Sequence, residues 1–124
     1  MTTITFAEIA QFRSDLAQLT DYPDALGALD VVEDCEGDVE DAAIVLALQS
    51  GMEPNRSEQM LEGLAKRWRP IICQDEVMEP LTAGSIAPLV ALLAEDESLP
   101  VQLIALVAIY VVKTGVSEFC HSQA

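Results

Sequence analysis

The residues of this chain that could do chemistry are mostly carboxylates, and they are concentrated in one stretch. Residues 21–41, the acidic hairpin, contain nine acidic side chains and no lysine or arginine. Carboxylate oxygens are ligands for calcium and magnesium, so cation binding is one hypothesis for this segment. An EF-hand loop is excluded, because placing Gly37 at its sixth position puts Val32 at the first, which must supply an oxygen. The other hypothesis is a solvated elbow whose carboxylates favour the start of the next helix.

Two Glu-x-x-Glu pairs define a sharper alternative. Glu33 and Glu36 form one pair, and Glu76 and Glu79 form the other. Residues three apart share one face of a helix, so four carboxylates could cluster between neighbouring helices. This pattern resembles the magnesium-binding pairs of all-α nucleotide pyrophosphohydrolases, and the resemblance implies a magnesium-dependent hydrolase. Phosphate chemistry also needs positioned cations, which are scarce here, so we predict no metal or cofactor and keep the hydrolase as the alternative function.

The remaining reactive groups do not form a known catalytic set. Glu118 and His121 have the spacing of a di-iron ligand pair, but that site needs two such pairs, and the chain has one histidine. Zinc sites usually contain closely spaced cysteines, whereas Cys35, Cys73 and Cys120 are far apart. Enzymatic activity is therefore not expected.

A short basic segment is a candidate interaction patch. Lys66, Arg67, Trp68 and Arg69 include three of the six basic residues and the only tryptophan. Tryptophan and arginine frequently anchor interfaces, so these four residues are predicted to contact a partner. In the alternative interpretation, Trp68 continues the apolar stripe of its helix into the core and the bases favour the helix end.

The composition limits the class of protein. A chain of 124 residues with 51% hydrophobic residues is expected to form a single domain over residues 1–124. The net charge of −15 repels nucleic acids and anionic membranes and favours basic partners. The longest apolar run, 103–112, is too short to span a bilayer. We expect no signal peptide in residues 1–12, and the three separated cysteines favour no disulfide and a reducing, cytoplasmic location.

Helix signals follow one another along the chain, and they position these residues. Thr5 with Glu8 predicts a capping box, and an apolar stripe then runs from Phe6 to Leu19. Caps are also predicted at Asp38, Ser57, Ser85 and Ser98, and Pro80 is predicted to end a helix. Helices are predicted over 6–20, 23–36, 39–49, 58–69, 70–79, 86–95 and 99–114, and a final turn within 116–124. Because 99–114 is apolar on nearly every face, we predict a compact orthogonal all-α bundle of six to seven short helices around this central C-terminal helix.

Two helical hairpins resemble known interaction modules. The stretch 29–43, LDVVEDCEGDVEDAA, resembles the last two helices of ubiquitin-associated-type domains, within a hairpin that covers 24–51. In those domains, as in elongation factor Ts, a Gly-Asp-Val-Glu-x-Ala pattern opens the final helix. The Met-Gly-Phe-type loop that binds their ligand is missing here, so the resemblance does not imply ubiquitin binding.

The second hairpin covers 83–115. Its segments AGSIAPLVALL and PVQLIAL are similar to an armadillo or HEAT helical pair, although solenoids need about three or more such units. Both resemblances imply protein-binding helical modules. We therefore predict a non-enzymatic adaptor or regulatory domain that binds another protein or itself. A homodimer is included because the apolar helices 86–95 and 99–114 exceed what a small bundle is expected to cover.

Overall fold

The computed structural model describes residues 2–51, 57–95 and 99–121, and the predicted all-α fold is confirmed. In the described part of the chain, the only β-type pairing is an isolated antiparallel bridge between Thr3 and Asp38. A 3₁₀-helix, Pro23–Leu26, leads into the second α-helix. The described residues form α1 (Phe6–Leu16), α2 (Gly27–Asp34), α3 (Val39–Gln49), α4 (Ser57–Arg67), α5 (Arg69–Ile72), α6 (Asp75–Thr82), α7 (Ala87–Ala94), α8 (Val101–Thr114) and α9 (Val116–His121).

Helix α8 occupies the centre of the bundle, as predicted. It packs against α2, α3, α4, α7, α9 and the 3₁₀-helix, and its residues from Leu103 to Ile109 are all buried. A helix surrounded in this way has no need of a polar face. No helix among the described residues has both the length and the apolarity that crossing a membrane requires.

Two predicted caps begin helices of the N-terminal half. The Thr5 hydroxyl accepts from the Glu8 amide at 3.1 Å, and the Glu8 carboxylate accepts from the Thr5 amide at 2.9 Å. The Asp38 carboxylate accepts from the Asp41 amide at 3.0 Å at the start of α3. Both caps are confirmed, because they depend on residues only three positions apart. The predicted cap Ser98 lies outside the described residues.

The N-terminal segment lies against the turn between α2 and α3. The Ile4 amide donates to the Gly37 carbonyl at 2.9 Å, and the Val39 amide donates to the Thr2 carbonyl at 2.9 Å. Gly37 has φ +89°, and a Cβ there would collide with the carbonyl oxygen of Ile4. Glycine is therefore required for this close approach of two backbone segments.

The predicted helix 70–79 is wrong in its bounds. The chain turns at Cys73, so that α5 and α6 are separate helices, and Pro80 lies inside α6. Proline removes one helical hydrogen bond, but Leu81 is only 1% exposed, and its burial holds this turn against the core. The tail was predicted as at most a final turn, and it forms α9. The bundle thus has more helices than the six to seven predicted.

The predicted cap at Ser85 is also wrong. The N-terminus of α7 is capped instead by Asp15, which belongs to the last turn of α1. Its carboxylate accepts hydrogen bonds from the Ile86 amide at 2.6 Å, the Ala87 amide at 3.0 Å and the Ser85 hydroxyl at 2.9 Å. Asp15 therefore satisfies the unpaired amides at the start of α7 and ties α1 to the C-terminal half.

A disulfide joins Cys73, at the end of α5, to Cys120 in α9, with their Cα atoms 5.7 Å apart. The expectation of unpaired cysteines was wrong for these two residues. Their separation of 47 positions gives no local signal, since pairing follows from the packing of α9 beside α6. Cys35 remains free.

An ion pair joins α1 to the end of α8 and makes stability depend on pH. Lys113 Nζ lies 2.7 Å from Glu8 Oε2, and this hydrogen bond, followed by that from Thr5, lowers the pKa of Glu8 from its usual 4.5. A carboxylate whose pKa is lower in the folded than in the unfolded state stabilises the fold at pH values above the unfolded-state pKa. This stabilisation is lost as the pH falls through the folded-state pKa.

The substitution Glu8→Gln keeps an oxygen for the Thr5 amide and removes the charge. We expect it to lower the free energy of unfolding by about 0.5–1 kcal/mol at pH 7, and we expect this difference to disappear as the pH falls through the lowered pKa of Glu8. Urea denaturation across this pH range measures the difference. The exposed Glu95→Gln is the control, and a Glu8→Gln effect independent of pH would contradict the assignment.

Candidate interaction surfaces

The four glutamates of the hydrolase hypothesis do not form a metal site in the described structure. Glu33, on α2, lies 3.1 Å from Arg13. Glu36 lies in the turn after α2, whereas Glu76 and Glu79 are on α6 and line an open depression beside Cys73. Within residues 2–51, 57–95 and 99–121, no group of three or more His, Cys, Asp or Glu side chains is arranged to hold a metal ion.

The acidic hairpin divides into carboxylates with protein partners and carboxylates that face solvent. Asp30 lies 2.7 Å from Arg13, and this hydrogen bond is the main reason that the pKa of Arg13 is raised. Glu40, only 5% exposed, accepts from the amide of Thr2 at 2.5 Å and from its hydroxyl at 3.2 Å. With Glu33 and Asp38 also engaged, several of the nine acids have structural roles.

Three of the carboxylates that remain exposed lie at the turn between α2 and α3. Asp34, Glu36 and Asp41 are exposed. Burial, and then the charges of Asp41, Asp38 and Asp34, raise the pKa of Cys35. The thiol of Cys35 is therefore protonated at neutral pH and is a poor nucleophile.

An apolar pocket of about 300 Å³ opens beside this turn; we call it the N-terminal pocket. The stripe predicted in α1 is buried at Ile9, Phe12 and Leu16, but Phe6 is 76% exposed. The prediction of a buried Phe6 was wrong, because Ile4 from the N-terminal segment fills the core at this end of α1. The pocket is lined by Ile4, Thr5, Phe6, Ile9, Glu36 and Gly37.

Local structure fixes the walls of the N-terminal pocket. The capping box starts α1 at Phe6, and the backbone hydrogen bond between Ile4 and Gly37 holds the N-terminal segment against the turn. Glu36, with φ 56°, is placed on the rim by the same tight turn. The pocket thus combines an apolar interior with one carboxylate, that of Glu36, at its edge.

A second surface is a groove of about 310 Å³ formed by α4, α5, α8 and α9; we call it the arginine groove. Its polar side chains include Lys66, which forms an ion pair with Glu62 at 3.0 Å. Burial raises the pKa of Tyr110, and Thr114 hydrogen-bonds its hydroxyl. The groove is lined by Glu62, Lys66, Arg69, Tyr110, Thr114, Glu118 and Phe119.

Arg69 is held in this groove by an aromatic ring. Its guanidinium carbon lies 4.7 Å from the centre of the Phe119 ring, a distance at which a cation and an aromatic face attract each other. The Nε atom of Arg69 is buried and has no hydrogen-bond acceptor among the described residues. Arg69 also forms no ion pair with a described carboxylate, unlike Arg13, Lys66 and Lys113.

The predicted interaction patch therefore separates into three environments. Lys66 and Arg69 line the arginine groove, whereas Arg67 lies 6.0 Å from the Trp68 ring and is exposed. Trp68 is 5% exposed and belongs to the core, as its alternative interpretation predicted. Tyr110 was not predicted as a groove residue, although a tyrosine within an otherwise apolar helix indicates that its hydroxyl reaches a polar environment.

The structure also shows where the residues considered as di-iron and zinc ligands lie. Glu118 lines the arginine groove, and His121 is exposed at the end of α9. Cys120 is bonded to Cys73, so its sulfur is not available as a zinc ligand with His121.

No protein family matches this chain, and no curated protein and no solved structure matches it significantly.

Proposed function

We propose that this chain is a non-enzymatic helical interaction module that binds a basic segment of another protein at the N-terminal pocket. The observation that carries the proposal is Phe6, which is 76% exposed on the rim of an apolar pocket. Aromatic side chains at pockets frequently dominate interface energies, and water contact with so large an apolar ring is unfavourable. A partner side chain that entered the pocket would cover Phe6.

The charge around the pocket supports a basic partner. Asp34, Glu36 and Asp41 are exposed and form no ion pair with a described residue. The net charge of −15 adds a long-range attraction for lysine and arginine. A basic segment with one apolar side chain therefore matches both the interior and the rim of the pocket.

A second copy of the chain is the alternative partner. Two copies each carrying −15 repel each other, which opposes association at low salt. The apolar surface expected on α7 and α8 is largely covered, because α8 is central. Leu92 of α7 is an exception and is 41% exposed. The homodimer proposal therefore depends mainly on Leu92 and on Leu48, which is 60% exposed on α3.

The other open predictions have less support. The magnesium-dependent hydrolase requires Glu33, Glu36, Glu76 and Glu79 in one cluster, and no observation on the described residues favours it. The cytoplasmic location stays a prediction, and the disulfide between Cys73 and Cys120 counts against a reducing compartment.

Binding of a short lysine-rich peptide with one central leucine tests the proposed function. Phe6→Ser is expected to weaken binding about tenfold or more, because the pocket loses its exposed aromatic wall. Glu36→Gln should weaken binding several-fold at low salt and less at high salt, because screening already reduces the charge attraction. Fluorescence anisotropy of the labelled peptide measures both effects.

Matched controls separate this pocket from general attraction to an acidic protein. Leu48→Ser removes an exposed leucine outside the pocket, and Glu95→Gln removes an exposed charge elsewhere. Both variants should bind the peptide as the unchanged chain does. If Phe6→Ser and Leu48→Ser reduce affinity equally, or if replacing the peptide's leucine by serine has no effect, binding is not at the N-terminal pocket.

A further inference from the structure

We propose that the arginine groove is a second binding site, which takes a monocarboxylate attached to an apolar or aromatic group through Arg69. This inference does not depend on the N-terminal pocket. It starts from the hydrogen-bonding state of Arg69 in a chain with 21 acidic and 6 basic residues.

Arg69 has donors without acceptors. A guanidinium carries five N–H groups, and among the described residues Arg69 has neither a hydrogen-bonded nor an ion-paired acceptor. Leaving a buried charged donor without an acceptor is unfavourable, and more so than for a neutral donor. Its Nε is buried, so an incoming acceptor has to engage the terminal amino groups. A carboxylate matches the fork of a guanidinium.

Phe119 explains why neighbouring glutamates leave Arg69 unpaired. The guanidinium carbon lies 4.7 Å from the centre of the Phe119 ring, and this contact fixes a planar group in one orientation. Glu62, on the same groove, is engaged instead by Lys66 at 3.0 Å. The groove thus keeps a pre-oriented cation for a ligand from outside.

The charges of the groove select the class of anion. Lys66 and Arg69 balance Glu62 and Glu118, so the lining is neutral overall. A single negative charge placed at Arg69 is favourable, whereas a phosphate dianion would meet two carboxylates and the −15 charge of the whole chain. The ring of Tyr110 lines the groove and offers an apolar surface for the remainder of the ligand. The volume of about 310 Å³ suits a group the size of one aromatic residue.

The disulfide stabilises this site through the backbone. The Cys73 amide donates to the Arg69 carbonyl at 2.9 Å, and Cys120 follows Phe119 in the chain. The bond between Cys73 and Cys120 therefore connects the two short helices, α5 and α9, that carry the guanidinium and its ring. Reduction should let these helices separate and should weaken ligand binding.

Titration with 3-phenylpropionate tests the proposal, with 3-phenylpropanamide as a neutral ligand of the same shape. Amide chemical shifts in ¹H–¹⁵N spectra report the affinity of the oxidised chain. We expect the acid to bind and the amide to bind at least tenfold more weakly. Arg69→Gln should weaken binding of the acid about tenfold, since it removes charge-assisted hydrogen bonds to the carboxylate, and Arg67→Gln should have less than a twofold effect.

Further experiments identify the source of the carboxylate and distinguish a loss of binding from a loss of folding. Arg69→Lys keeps the charge, loses the planar fork and should weaken binding several-fold in a chain that melts normally. A short peptide ending in phenylalanine that binds more tightly than 3-phenylpropionate indicates a polypeptide C-terminus, whereas equal affinities indicate a small organic acid. Equal binding of acid and amide, or equal effects of Arg69→Gln and Arg67→Gln, would overturn the proposal.

Discussion

Replacing Cys73 and Cys120 together by serine is expected to lower the free energy of unfolding by about 4 kcal/mol. The two residues are 47 positions apart, and closing a loop of that length removes conformational entropy from the unfolded chain. For a domain of this size the loss corresponds to a fall of about 15 °C in the melting temperature. Thermal melting followed by circular dichroism measures it, and reduction of the unchanged chain should produce a similar fall.

Cys35 provides the control for this experiment. It is a free cysteine, so Cys35→Ala should melt within a few degrees of the unchanged chain, and reduction should destabilise that variant as strongly as the unchanged chain. Alkylation of the denatured, unreduced chain should modify Cys35 alone. Modification of all three cysteines, or a double serine variant with an unchanged melting temperature, would show that the disulfide does not stabilise the fold.

Replacing Asp15 by alanine should produce the second large loss, about 2–3 kcal/mol of unfolding free energy. The carboxylate accepts hydrogen bonds from the amides of Ile86 and Ala87 and from the hydroxyl of Ser85. Its removal leaves helix N-terminal donors without an acceptor and removes a negative charge from the positive end of α7. The midpoint of urea denaturation should fall while the slope stays unchanged.

Two further variants show whether the cap itself is responsible. Asp15→Asn keeps one acceptor oxygen and should lose about half as much stability as Asp15→Ala. Asp21→Ala removes an exposed carboxylate and should change stability by less than about 0.5 kcal/mol. Similar midpoints for Asp15→Ala and Asp21→Ala would exclude a tertiary cap on α7.

The parts of the fold that depend on neighbouring residues were predictable from the sequence. The caps at Thr5 and Asp38 are correct because each bond joins residues three apart. The central position of α8 is correct because a helix without a polar face has to be enclosed. The cap from Asp15 could not be predicted, since even Ser85, its partner nearest in the sequence, is 70 positions away.

The candidate sites were predictable only in part, for the same reason. Lys66 and Arg69 were recognised as candidate interaction residues from their residue types and clustering, but the Phe119 ring that orients Arg69 comes from another helix. Phe6 was placed in a buried stripe by its spacing, and spacing could not show that Ile4 would occupy the core at that end of α1. Helical periodicity identifies a face, whereas the neighbour that covers the face depends on tertiary packing.

The disulfide makes a covalent ring of the chain from Cys73 to Cys120, and this ring contains α6, α7 and the central helix α8. The N-terminal pocket lies wholly outside the ring. The arginine groove combines residues from outside and inside the ring. Lys66 and Arg69 precede the ring in the sequence, whereas Tyr110 and Phe119 are part of it. Reduction therefore breaks a covalent link next to the arginine groove and none within the N-terminal pocket, and a single peptide-bond cut within the ring leaves the two pieces covalently joined.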